Sequence, residues 1–359
     1  MPNPEIRIET AGHCGVITLD RPEALNALTL TMVRAIACAL DSWENDPAVR
    51  CVLIRGAGSR AFCAGADIRI LYQLGRTGQG AEQLAFLREE YLLNRRIKFY
   101  PKPYVALADG IVMGGGAGLS VHGAHCVAGD TFTFAMPEVR IGFFPDVGAT
   151  FFLPRLPGKA GVYLALTGER IDCGDAIALG LASAYVPSSR HATLTQRLID
   201  GEDPAAAIAA ESAPPPPSSL TGQRHFIDGC FAGGTVPAIL EAIDGAVCGG
   251  SEFARAAYAT IRSKSPTSLA IALRQMQIDG KLDLDEALRA EFRIAARLVK
   301  SADFYEGVRA TLIDKDFRPQ WSPAEINAVK PADIDAYFAP LLYRSEGEEL
   351  EFPGLAVNR

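Results

Sequence analysis

The chain has 359 residues, 48% of them hydrophobic and 21% charged, with a formal net charge of -7 and an isoelectric point near 5.4. That composition is globular, and the length suits one large domain or two smaller ones. The 35 basic residues are scattered and form no stripe, which argues against a nucleic-acid partner but leaves room for local cations or backbone N–H groups around a small phosphorylated ligand.

In chain order, short apolar runs at Ile6 to Glu9, Gly15 to Leu19, Val52 to Arg55, Tyr104 to Ala108 and Cys126 to Ala128 read as strands. Between them, Ala27 to Trp43, with Thr29 and Thr31 as start signals, and Gln83 to Arg96 carry apolar residues at helical spacing. The region is α/β. After Pro187 the strand signals stop, and the tract Glu211 to Ser219, rich in proline, reads as an exposed linker or long loop. Amphipathic helices follow at about Pro237 to Ala246, Glu252 to Ser263, Ser268 to Gln277, Leu284 to Ser301 and Asp303 to Ile313. The expected organisation is therefore an α/β core over 1–200, a Pro-rich linker or loop over 201–235 and a helical region over 236–359. No stretch is apolar for long enough to span a bilayer, so no membrane partner is expected. The eight cysteines form no C-x-x-C pair and read as reduced core residues, and the first ten residues resemble no export or organelle signal; the expected compartment is the cytoplasm.

Three segments carry candidate chemistry. Ser59 to Arg69 runs from a strand into a helix, and the small residues Ala64, Gly65 and Ala66 let a backbone N–H approach a ligand; a tight structural turn is the other reading. Asp109 to Leu119 holds three consecutive glycines, Gly114 to Gly116. It fits neither G-x-G-x-x-G nor Walker A, which leaves a phosphate cradle or an oxyanion-binding turn. In Phe134 to Gly148, Glu138 and Asp146 lie among apolar residues, Pro and Gly, where an ionised carboxylate is costly unless bonded or used; they are catalytic groups or caps. His122 and His125 have no obvious third ligand, so no metal is expected. The absence of a Gly-x-Ser-x-Gly elbow with a histidine disfavours a serine hydrolase.

Ala61-Phe-Cys-Ala-Gly-Ala-Asp67 and Gly110-Ile-Val-Met-Gly-Gly-Gly116 together resemble the signature turns of the crotonase, or enoyl-CoA hydratase/isomerase, superfamily. The resemblance implies a crotonase-type ββα superhelix followed by helices. It further implies an acyl-CoA held between the two turns, with its thioester oxygen bound by the N–H groups of Ala66 and Gly115. Ala64, Asp67, Ile68 and Gly114 would then contact substrate, and no separate cofactor is implied, CoA being part of the substrate. Longer matches, including Arg88-Glu-Glu-Tyr91, Ala135-Met-Pro-Glu138, Phe144-Pro-Asp-Val-Gly148 and Lys264-Ser-Pro-Thr-Ser268, are similar to the 3-hydroxyisobutyryl-CoA hydrolase branch. In that branch Glu138 and Asp146 match the catalytic pair, and Glu90 matches a residue near the substrate hydroxyl. Gly118 stands where typical hydratases look to carry a second glutamate. The implied reaction is hydrolysis of a 3-hydroxyacyl-CoA, as in valine breakdown. Enoyl-CoA hydration or isomerisation is the alternative, and a catalytically silent CoA-binding protein is a third. Relatives of this kind also imply a homo-oligomer, a trimer or a multiple of one.

Overall fold

The computed structural model describes residues 5–278, 282–341 and 348–352. Its strands are β1 (Ile6–Ala11), β2 (Cys14–Leu19), β3 (Cys51–Gly56), β4 (Ala61–Cys63), β5 (Tyr104–Ala108), β6 (Ile111–Met113), β7 (His125–Ala128), β8 (Thr133–Ala135), β9 (Ile171–Asp172) and β10 (Ala184–Tyr185). They form a six-stranded sheet in the order β1-β2-β3-β5-β7-β10 and a four-stranded sheet in the order β4-β6-β8-β9. The chain alternates between the two. β3, β5 and β7 each lie in the large sheet and are each followed by a short strand, β4, β6 or β8, in the small one. This is the expected ββα superhelical pattern.

All six β2 residues and all five β5 residues are buried, as expected of strands covered on both faces. Alternate residues serve different cores. Val52 and Ile54 join the main core, while Cys51 and Leu53 point to a smaller one closed by Leu194, Leu198, Ala207 and Ile208. Those four residues belong to the helices His191–Ile199 and Pro204–Glu211. The stretch 201–235 thus contributes to a core and carries a second helix, Arg224–Cys230, beside its exposed prolines. Asp175 fastens the end of the proline run by accepting from Ser218 Oγ, Ser219 Oγ and the Leu220 N–H.

The expected helix from Ala27 begins later, as α1 (Leu30–Glu44), with Thr29 as its N-cap accepting from the Met32 N–H. Leu28 is extended because it bridges to Ala66. Further helices are α2 (Ile68–Arg76), α3 (Gly80–Lys98) and α4 (Gly115–Ser120). The C-terminal helices Val236–Cys248, Glu252–Arg262, Pro266–Met276 and Leu284–Leu298 follow the expected pattern; the last expected helix is α-helical over Ala302–Val308 and widens to a π turn over Arg309–Ile313. Among the described residues no helix is long and apolar enough to cross a membrane.

Candidate active site

The small sheet positions the site. β4, β6 and β8 run parallel, with Ala61 opposite Ile111 and Met113 opposite Ala135. Their C-terminal ends therefore open side by side, the usual place for a ligand on parallel strands. β4 delivers Ala64 to Ala66, β6 delivers Gly114 and Gly115, and β8 delivers Glu138 after two more residues.

Leu28 donates its N–H to Gly65 O (2.8 Å) and accepts from the Asp67 N–H (2.9 Å). In such a parallel bridge the residue between the two points its own N–H the other way. The Ala66 N–H is thereby free of the bridge, and the Gly115 N–H is a first-turn donor of α4. Among the described residues neither has a hydrogen-bond acceptor. The two groups lie close together, since a Cβ at Gly115 would fall 3.4 Å from Ala66 N.

The glycines are explained by what crowds them. Gly114 has φ 49° and ψ -120°, which side-chain-bearing residues avoid. A Cβ at Gly115 would meet Glu90 Oε1 at 2.3 Å, and one at Gly116 would meet Cys63 O at 2.2 Å. At Gly118 a Cβ would meet Asn94 Nδ2 at 2.5 Å and Val147 Cβ at 2.9 Å. Asn94 therefore occupies the space that a longer side chain at 118 would need.

A cavity of about 400 Å³ is lined by Ala64, Ala66, Ile68, Gly114, Gly115, Glu90, Glu138 and Asp146. Of the expected site residues only Asp67 is off its wall. Its carboxylate pairs with Arg21 at 3.1 Å, and its N–H is used by Leu28, on the side opposite the Ala66 N–H.

Glu90, Glu138 and Asp146 are 2%, 7% and 6% exposed, so three acids share one poorly hydrated space. Burial first, and then the charge of Asp146, raise the carboxyl pKa values of Glu138 and Glu90 well above the usual range. Burial pushes Asp146 up to about 7, opposed by a hydrogen bond from the Tyr91 hydroxyl (2.8 Å). Glu138 Oε2 and Glu90 Oε1 are buried without a hydrogen-bond partner. Helical spacing on α3 explains why Glu90, Tyr91 and Asn94 all reach this region.

The turn carrying Asp146 is held from three directions. Glu291, on the helix Leu284–Leu298, accepts from the N–H groups of Gly148 (2.7 Å) and Thr150 (2.8 Å). Gln275 Nε2 donates to Pro145 O (2.9 Å), and His122 Nε2 lies 2.7 Å from Val147 O. Val147 itself has φ 54°, a strained value for a β-branched residue, which those contacts hold in place. Tyr91, Glu291 and Gln275 carried no signal as site residues, because their partners are remote in sequence. His122 thus braces the turn through the Val147 carbonyl, and the described residues contain no cluster of three or more potential metal ligands.

The raised acids fix a pH dependence. Asp146 at about 7 and Glu291, which burial pushes up to about 8, bind protons in the folded chain at pH values where the unfolded chain, near 4, has lost them. Stability from this source is full below the unfolded values and is lost as pH rises through the folded ones. The melting temperature of the ligand-free protein should fall from pH 6 to pH 9, and the slope should flatten in Asp146→Asn. Scanning calorimetry across that range checks it; a melting temperature that rises with pH would contradict the electrostatics described.

The fold and paired turns are those of a crotonase, and residues 14–338 match the Enoyl-CoA hydratase/isomerase family; the chain belongs to that family. More particularly, it is 45% identical to the mitochondrial 3-hydroxyisobutyryl-CoA hydrolase of Xenopus tropicalis and 43% identical to that of Homo sapiens, each match covering 94% of this chain and 89% of the relative. A crystal structure of a carnitinyl-CoA dehydratase from Mycobacterium thermoresistibile superposes with a TM-score of 0.92 at 42% identity, covering 98% of this chain and 100% of that one. One of an enoyl-CoA hydratase from Rhodobacter sphaeroides superposes at 0.89 and 39%, covering 97% and 100%.

Proposed function

We propose that the protein hydrolyses a 3-hydroxyacyl-CoA thioester, with 3-hydroxyisobutyryl-CoA of valine breakdown as preferred substrate, to the free hydroxy acid and CoA. One observation carries the reading over hydration: two unclaimed N–H groups stand beside Glu138 and Asp146, while Asn94 fills the space at Gly118 where a hydratase would place its second acid. The identity to the named hydrolases supports it too.

In this reading the thioester oxygen sits between the Ala66 and Gly115 N–H groups, which stabilise the oxyanion formed on addition; one such donor is typically worth about 2.7–4 kcal/mol of barrier. Ala64, Ile68 and Gly114 shape the channel, and Glu90 in its ionised form accepts from the substrate hydroxyl. Glu138 either takes a proton from water as water adds to the thioester carbon, or adds directly to give an acyl anhydride. In both routes the tetrahedral species collapses by breaking the C–S bond, and the thiolate leaves; in the second route water then adds to the anhydride and breaks its C–O bond, freeing the hydroxy acid and returning the Glu138 carboxylate. Asp146, held by Tyr91, orients water or the hydroxyl. A single turnover in labelled water separates the routes, because label in the Glu138 carboxylate requires the anhydride.

The expected result is thiol release from 3-hydroxyisobutyryl-CoA, with little consumption of crotonyl-CoA. Hydration of crotonyl-CoA without thiol release would replace this reading with the hydratase one, and inertness across a panel of acyl-CoAs would leave a CoA-binding protein. We further propose a homo-oligomer, a trimer or a multiple of one, on family likeness, to be checked by light scattering. We place it in the cytoplasm, a reading its eight free cysteines support to the extent that they suit a reducing compartment; the named relatives are mitochondrial, and fractionation of the source cell decides.

A further inference from the structure

Lys264 lines the same cavity as Glu138, from the loop between the helices Glu252–Arg262 and Pro266–Met276. It is 4% exposed, yet among the described residues its ammonium has neither a hydrogen-bond acceptor nor a carboxylate within ion-pair distance. Its stem is buried while its Nζ stays open to the cavity, so the unpartnered ammonium faces the space a ligand would fill, an unusual placing for a lysine. Burial, followed by the nearby Arg140, lowers its pKa to about 8. Glu169 is the carboxylate on the cavity wall nearest in charge effect, but it is only half-buried and accepts from Thr260 Oγ1 at 3.1 Å.

The loop is not a loose one into which the lysine has strayed. The Ser265 N–H reaches Val139 O (3.4 Å), one residue after Glu138. Ser265 Oγ donates to Asp303 Oδ2 (2.6 Å) and accepts from the Ser268 N–H (3.1 Å), capping the following helix. Trp321 Nε1 donates to Ser263 O (3.1 Å) on the other side of the lysine. Residues on both sides of Lys264 are thus tied down, one of them to the turn that carries Glu138.

Resting on the acyl-CoA reading above, we propose that Lys264 is a substrate-binding residue whose ammonium donates to an oxygen of the bound acyl-CoA. The oxygen belongs either to the acyl group, as its hydroxyl, or to the pantetheine arm, as an amide carbonyl. Both present the same acceptor chemistry to an ammonium, which completes its hydrogen bonding only when ligand is present.

The test is Lys264→Met, which keeps the stem and removes the charge. Calorimetric titration uses three probes that do not turn over: CoA itself, the ketone analogue of isobutyryl-CoA with methylene replacing sulfur, and its 3-hydroxy counterpart. The expected result is at least a tenfold loss of affinity, with a melting temperature equal to or above that of the wild type, because no internal partner is lost. Loss on all three probes places the acceptor in the CoA moiety; loss confined to the hydroxylated probe places it in the acyl group. Unchanged affinity on every probe overturns the proposal. A lowered melting temperature accompanying weakened binding overturns it in favour of a structural lysine. These titrations do not require thiol release, so a failed hydrolase assay on the wild type would refute the proposed reaction while leaving the lysine's role to be decided by binding.

Discussion

Glu138→Gln should slow thiol release from 3-hydroxyisobutyryl-CoA roughly 10³-fold, within the range usual for a positioned acid–base group, while CoA binding changes by less than about threefold. The amide keeps the shape of a side chain whose Oε1 would lie only 3.0 Å from a Cβ at Gly114, so the channel is preserved. What disappears is the first acid that follows β8 at the mouth formed with β4 and β6. The same change should raise the melting temperature at pH 8, since an amide adds no charge to a space already holding Glu90 and Asp146. Loss of activity with gain of stability is the signature of a group kept for chemistry at a cost to the fold. Stopped-flow thiol detection and calorimetry on one preparation check both halves. A variant retaining more than a tenth of wild-type turnover would remove Glu138 from the mechanism.

Gly118→Glu, the single replacement that would restore the acid of a hydratase, should fail to create one. Its Cβ alone would press on Asn94 Nδ2 and Val147 Cβ, and its carboxylate would be introduced at a buried position. Overpacking and a buried charge together should destabilise the chain by roughly 3 kcal/mol or more. Paired with Asn94→Ala, the same glutamate gains room, and much of the lost stability should return. Denaturant unfolding of the single and double variants measures the coupling, and loss of enoyl absorbance from crotonyl-CoA measures the activity. A single variant as stable as wild type and active on crotonyl-CoA would show that Asn94 is no barrier.

The two signature turns were legible because each concentrates small residues at one strand end, and Glu138 and Asp146 because charge is rare in their apolar segment. The long strands announced themselves by continuous apolar runs. The small sheet did not: β4, β6 and β8 have three residues each, too few for any periodicity to register. Yet they are what aligns the three site segments. Asp67 sits in the right motif but turns to Arg21, because alternation along an extended bridge sends neighbouring groups to opposite sides. Tyr91, Gln275 and Glu291 escaped for another reason. Each supports the Asp146 turn across a long sequence gap, and a lone sequence contains nothing to mark which distant side chains will meet.

The bond between Gly148 and Glu291 spans 143 residues. On a ribosome adding about 5–20 residues per second, the turn bearing Asp146 waits on the order of ten seconds for the carboxylate that holds it. During that interval the nascent chain can assemble its parallel strands, and His122 can already meet Val147 O, but the turn lacks the contacts from Gln275 and Glu291 that complete its hold on an unfavourable backbone conformation. Catalytic competence should therefore arrive in one late step, after the helix Leu284–Leu298 has emerged and docked, and chains stalled before it should be inactive however well the sheets have formed.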